Sequence, residues 1–285
     1  MIERDTIAGI PCVIYLPDPF LVGSKLPLIS LFRASPDEWF QSRQDHSRGK
    51  RNVFTVVNDL IGQDYLMPCG LVFPQTCNHT QSEYYFSAKV HELSNSNDAP
   101  ASILDVDHFV DHFLPELANK YPVDIDRVSL DGFSLGGYTS LSYAFSYPNR
   151  FVSTGSFDGS ILDYNFDNKR VTPDTPSDLS FDQFPYLFGN DPDEEFFRSQ
   201  NPLDIVSDHD REIPKNLHIM YTNDNNPTSN KPRVQNFLDK IKERGVVNLA
   251  EIELLHENSL HEWYWVDEYL FRCLPFHSRK LKESC

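Results

Sequence analysis

The segment Asp131-Gly132-Phe133-Ser134-Leu135-Gly136-Gly137 contains the spacing G-x-S-x-G. A serine hydroxyl is a weak nucleophile at neutral pH and attacks a carbonyl only when a neighbouring base takes its proton. The spacing suits a serine carried on a sharp turn from a strand into a helix. Side chains two residues to either side of such a turn would collide, so glycine is required at Gly132 and Gly136. The N–H of Leu135 would then open the following helix, where developing negative charge is favoured. This combination points to acyl-transfer chemistry with Ser134 as nucleophile. By itself the motif also fits an ordinary turn, so its meaning depends on the elements around it.

Those elements alternate. Residues 10–16 read as an early strand ended by Pro17 and Pro19, and Leu26 to Phe32 is an apolar run suited to a sheet buried on both faces. Leu71-Val72-Phe73 is a shorter run of the same kind. Ile103, Val106, Phe109, Val110, Phe113, Leu114 and Leu117 fall on one helical stripe. Arg127 to Leu130 then reads as the strand before the motif, and Leu141 to Phe145 as helix after it, ended by Pro148. Strands are predicted at Phe151 to Ser156, Leu217 to Tyr221 and Leu249 to Leu255. Helices are predicted at Val234 to Arg244 and His261 to Leu274. The pattern predicts an α/β-hydrolase fold: a mostly parallel central sheet with helices on both faces. The whole chain, 1–285, reads as one domain, and residues 160–212 break the rhythm as a lid-like insertion.

In this fold the triad follows the order serine, acid, histidine, with the histidine after the last strand. His256 and His261 both lie there. His256 directly follows the strand, whereas His261 stands at the junction with the last helix. The acid is expected after Leu217–Tyr221, where Asp224 sits in the turn-forming run Thr222-Asn223-Asp224-Asn225-Asn226, with Asp239 a poorer candidate.

Asp126-Arg127-Val128 leading into Gly132-Phe133-Ser134-Leu135-Gly136-Gly137, then Tyr147-Pro148, Phe151 and Ser156-Phe157-Asp158-Gly159, resembles the putative-esterase family of α/β-hydrolases. That family includes S-formylglutathione hydrolases (esterase D), feruloyl-esterase-like enzymes and mycolyltransferases. His261-Glu262-Trp263-Tyr264-Trp265 is similar to its C-terminal pattern of histidine followed by aromatics, which favours His261 as base. The resemblance likewise favours Asp224 as acid. It departs after Phe32: many members carry His-Gly there, and this chain has Arg33-Ala34-Ser35-Pro36. The resemblance assigns the second oxyanion N–H to that loop, at Arg33 or Ala34, beside the N–H of Leu135.

The net charge of −17 gives a surface that repels phosphate backbones and anionic lipids, which excludes nucleic acid and membranes as expected partners. No stretch approaches the ~20 apolar residues of a spanning helix, and no signal-peptide pattern stands at Met1 to Asp5. Cys12, Cys69, Cys77, Cys273 and Cys285 are odd in number and form no C-x-x-C pair, so free thiols in a reducing cytoplasm are expected. Export by another route would allow a Cys69–Cys77 bridge. His108 and His112 stand one helical turn apart among Asp105, Asp107 and Asp111, and read as a solvated face rather than a metal site. Aromatic residues such as Tyr84, Tyr164 and Phe184 could line an acyl pocket or belong to the core.

The expected activity is cleavage of a small carboxylic ester or thioester through an acyl-enzyme, with no metal or organic cofactor. Transfer of the acyl group to a sugar or other alcohol is the alternative, and a non-catalytic scaffold the reading from another class. The sequence leaves the oligomeric state open, a homodimer included.

Overall fold

The computed structural model describes residues 1–17, 25–33, 35–40, 46–76, 106–166, 170–171, 194–225, 229–245 and 253–284. Strands β1 (Ile2–Ile7), β2 (Ile10–Tyr15), β3 (Leu26–Phe32), β4 (Gly70–Pro74), β5 (Val123–Gly132), β6 (Ser153–Phe157), β9 (Leu217–Tyr221) and β10 (Glu253–Leu254) form one sheet in the order β1-β2-β4-β3-β5-β6-β9-β10. The pairs β1/β2 and β2/β4 are antiparallel, and the remaining pairs are parallel. Two short strands, β7 (Tyr164–Asn165) and β8 (Arg170–Val171), pair separately. This is the α/β-hydrolase fold, with the serine motif at the end of the central strand β5.

The central strands are apolar because both of their faces are covered. Leu28, Ile29, Leu31 and Phe32 of β3 and Leu71, Val72 and Phe73 of β4 are fully buried. On one face, α1 (Val53–Gly62) and the long last helix α7 (Trp263–Glu283) pack on the sheet. On the other face lies α2, in which Val106–His108, a π turn at Phe109–Phe113 and Leu114–Lys120 run on as one helix. Helix α3 (Leu135–Ser146) follows the motif. Helices α4 (Glu194–Gln200) and α5 (Pro202–Ser207) lie in the segment expected to be an insertion, and α6 (Lys231–Glu243) follows β9.

The sequence reading missed β1 and α1. Polar residues fill most of β1, which is an edge strand paired only with β2. Helix α1 did carry a signal. Val53, Val56, Val57 and Leu60 are buried at helical spacing, and Asn52 caps the N–H groups of Phe54 and Thr55. The expected end of the last helix at Leu274 is corrected too. Pro275 lies inside α7, which continues to Glu283 because Phe276, His277, Ser278 and Leu281 are buried on the sheet. That burial outweighs the hydrogen bond a proline removes. The aromatic candidates Tyr84 and Phe184, and Cys77 of the conceivable bridge, lie outside the described residues. Among the described residues no helix is long and apolar enough to cross a membrane.

Candidate active site

Ser134 stands between β5 and α3 with φ +57° and ψ −116°, a conformation few non-glycine residues adopt. The flanking glycines have no room for a side chain. A Cβ on Gly132 would lie 2.2 Å from the carbonyl oxygen of Gly136, and one on Gly136 would lie 1.8 Å from the carbonyl oxygen of Phe32. The turn is therefore closed against both its own helix and the end of β3. Ser134 N–H donates to the Phe157 carbonyl at 2.9 Å, which ties the turn to the end of β6. The serine is 8% exposed, so its hydroxyl meets little water.

Phe133 organises the surroundings. Its ring lies 4.5 Å from the His261 imidazole, 5.3 Å from Trp263 and 5.7 Å from Phe157, centroid to centroid. The Arg33 guanidinium sits over it at 5.1 Å and pairs with Glu38 at 2.9 Å. The aromatic packing thus sets the histidine beside the serine turn.

Nδ1 of His261 is hydrogen-bonded to Oδ2 of Asp158. The sequence expectation placed Asp224 at this position, and the carboxylate that the structure brings to His261 is Asp158. Asp158 follows β6 directly and is fully buried, while the His261 side chain is about one-third exposed. Asp158 adopts φ +46°, a left-handed turn that aspartate tolerates better than most residues. Its polar atoms are all held. The N–H donates to the Met220 carbonyl at 2.8 Å, the carbonyl accepts from Asn230 Nδ2 at 2.8 Å, and Oδ1 accepts from the Thr222 N–H at 3.2 Å. A buried carboxylate satisfied in this way can hold an imidazole in one tautomer.

Asp224 lies in the turn after β9 and is half-buried. What that turn contributes to the site is an anchor for the histidine loop. Asn223 N–H donates to the Ser259 carbonyl and to its Oγ, each at 3.0 Å, and Asn223 Nδ2 donates to the Glu257 carbonyl at 2.7 Å. His256 is exposed, accepts from the Asn258 N–H at 3.1 Å and stacks on Trp265. Asp239 is an exposed residue of α6 and contacts Lys242 at 3.3 Å. Neither is bonded to His261.

Leu135 is the first residue of α3, and the first N–H groups of a helix have no acceptor within it. The backbone N of Arg33 lies at the same turn, 2.9 Å from where a Gly136 Cβ would stand. Ala34 lies outside the described residues. His108 Nε2 contacts the Ala8 carbonyl at 2.8 Å, and His112 is exposed. Cys12, Cys69 and Cys273 are buried and unbridged, and burial pushes the Cys12 and Cys69 thiols up to about 12.

Residues 8–267 match the model of the family described as "Putative esterase", and the chain belongs to that family. That family is accordingly described as one of ester hydrolases. A segment of 51 residues is 39% identical to the S-formylglutathione hydrolase of Paracoccus denitrificans (strain Pd 1222), and this match spans 18% of each chain. A solved ferulic acid esterase superposes with a TM-score of 0.70 at 17% identity, covering 98% of this chain and 97% of the other. An S-formylglutathione hydrolase from Agrobacterium tumefaciens superposes with a TM-score of 0.65 at 14% identity, covering 99% and 94%. At these identities the two structures establish the shared fold.

Proposed function

We propose that the protein cleaves a carboxylic ester or thioester of a small molecule through an acyl-enzyme on Ser134. His261 is the base, and Asp158 takes the role the sequence suggested for Asp224. The observation that carries this reading is the buried Asp158 carboxylate on Nδ1 of His261, beside a serine held in a left-handed turn. With Nδ1 committed to Asp158, Nε2 of His261 is the nitrogen left for the Ser134 proton. Ser134 Oγ bonds to the substrate carbonyl carbon while that proton passes to His261. The carbonyl oxygen takes the negative charge, facing the N–H of Leu135 and one from the loop beginning at Arg33. His261 then protonates the leaving alcohol or thiol, and water, deprotonated by the same histidine, releases the acid.

The chain is read as one hydrolase unit, with residues 160–212 an insertion beside the site. The odd number of cysteines, with no C-x-x-C pair, supports a reducing cytoplasm as its compartment. The test is reaction with a fluorophosphonate, followed by identification of the modified residue, and turnover of p-nitrophenyl, feruloyl and thioester substrates. A covalent adduct on Ser134 and loss of turnover in Ser134→Ala are expected. Turnover at the wild-type level in Ser134→Ala overturns the reading. Analysis of products with a mixed pool of alcohol acceptors separates hydrolysis from acyl transfer.

A further inference from the structure

A second hydrogen-bonded chain approaches Ser134. Ser160 Oγ lies 3.4 Å from Ser134 Oγ, and the Ser160 N–H donates to the Ser134 carbonyl at 3.0 Å. Asn230 Nδ2 reaches Ser160 Oγ at 3.4 Å while also holding the Asp158 carbonyl at 2.8 Å. Asn230 Oδ1 accepts from an Arg233 guanidinium nitrogen at 2.6 Å. Asn230 is 8% exposed. It stands at the N-cap of α6, yet its side chain makes no capping bond and is spent on the site instead.

Counting donors gives the chain its direction. The single Ser134 proton is the one His261 must accept, so in the Ser134–Ser160 contact Ser134 is the acceptor. Asn230 Nδ2 can only donate, so Ser160 Oγ accepts from it and keeps its own proton for Ser134. Asn230 Oδ1 can only accept, and Arg233 can only donate. Every link therefore points the same way, from the cation to the nucleophile. Arg233 is drawn into this role by its surroundings: its Nε is buried with no hydrogen-bond partner, and burial pulls its pKa below the usual arginine value. It nonetheless stays charged at any pH at which the protein folds.

Resting on the reading of Ser134 as nucleophile, we infer that Ser160 is a further catalytic residue whose hydroxyl donates to Ser134 Oγ, with Asn230 and Arg233 as its positioning residues. The oxygen carries negative charge twice in the cycle. It does so when its proton passes to His261 during attack, and again when it departs from the acyl carbon during hydrolysis and recovers a proton from His261. A donor fixed 3.4 Å away in the resting enzyme closes on that charge at both steps, since catalytic hydrogen bonds tighten in the transition state. No bond to Ser160 forms or breaks.

The test compares wild type, Ser160→Ala and Ser160→Thr with p-nitrophenyl acetate, measuring kcat, KM, the pre-steady-state burst and thermal midpoint. Ser160→Ala is expected to lower kcat by about tenfold or more, in the range of a lost hydrogen bond to a charged group, with KM and midpoint little changed. Ser160→Thr, which restores the hydroxyl, should recover most of the rate. The effect of Asn230→Ala on kcat should be smaller in the Ser160→Ala background than in wild type, because part of it acts through Ser160. Wild-type kcat in Ser160→Ala, or equal losses in the alanine and threonine variants, overturns the inference. A fluorophosphonate adduct on Ser134 in wild type shows that such a failure belongs to Ser160 alone. Lack of that adduct removes the nucleophile and this inference together.

Discussion

The backbone N–H of Thr222 donates to Oδ1 of Asp158 at 3.2 Å, so the end of β9 holds the carboxylate that stands at the end of β6. The two strand ends are neighbours because Phe157 pairs with Met220 across the parallel ladder. The histidine loop is tethered to the β9 side by Asn223 and bonded to the β6 side through Asp158.

That arrangement predicts a clear ranking of two aspartates. Asp158→Asn should lower kcat by up to about 10⁴-fold, because an amide at Nδ1 favours the wrong imidazole tautomer. Asp224→Asn should lose far less. Steady-state kinetics on one p-nitrophenyl ester is enough to decide, and a larger loss in Asp224→Asn would return the acid to β9.

The two histidines of the loop should separate just as widely. His261→Ala is expected to lose about 10³-fold or more in kcat/KM, as members of such triads do. His256 is exposed and stacked on Trp265, so His256→Ala should stay within a few-fold of wild type. The reverse order would identify His256 as the base.

A buried ion pair stands against the Trp263 ring at the start of α7. Arg48 binds Asp267 of α7 with contacts of 2.7–3.1 Å, donates to the Trp39 carbonyl at 2.8 Å and lies over the Trp263 ring. Neither side chain is exposed. Burial pushes the Asp267 carboxyl up, and Arg48 opposes this. Arg48→Met leaves that carboxylate only its longer 3.7 Å contact with Arg51 and should destabilise the fold by about 3 kcal/mol in urea unfolding. A loss below about 1 kcal/mol would show that the pair does not anchor α7.

His218, fully buried in β9 against Tyr269 and Phe276, contributes to the pH dependence of stability. Burial lowers its pKa from 6.5 to about 4. The unfolded chain therefore binds a proton that the folded one refuses, and stability falls as pH drops from about 6.5 to about 4. The loss attributable to this one group is at most about 3 kcal/mol. The stability difference between wild type and His218→Gln should shift in favour of the variant across that window. A difference that stays constant with pH would show that the group titrates normally.

Much of the fold was legible because the sheet is buried on both faces: β3, β4 and β9 announce themselves as short apolar runs. The serine turn was legible because G-x-S-x-G encodes a steric requirement, and the 1.8 Å and 2.2 Å approaches at Gly136 and Gly132 are that requirement in space. The acid was not. Asp158 and Asp224 both follow strands, and their choice depends on strand order, which places β6 and β9 side by side although about sixty residues separate them. The one local hint was Asp158-Gly159 directly after a strand, where an aspartate can take a left-handed turn. The Ser160–Asn230 link joins residues seventy positions apart, and no sequence period marks it.

Among the described residues, four that are not glycine have positive φ, and Ser134 and Asp158 are two of them. Each such conformation costs on the order of 1–3 kcal/mol relative to a relaxed backbone. Glycine at 134 would release that tension and delete the hydroxyl in the same step, whereas glycine at 158 would also strip the Thr222 N–H and His261 of their buried acceptor. A library of variants screened only for survival on heating would drift toward glycine at 134 and, on the proposed reading of Ser134 as nucleophile, converge on sturdy, inert protein. On that reading directed evolution must keep turnover in every round of selection, because thermal fitness and catalysis pull Ser134 in opposite directions.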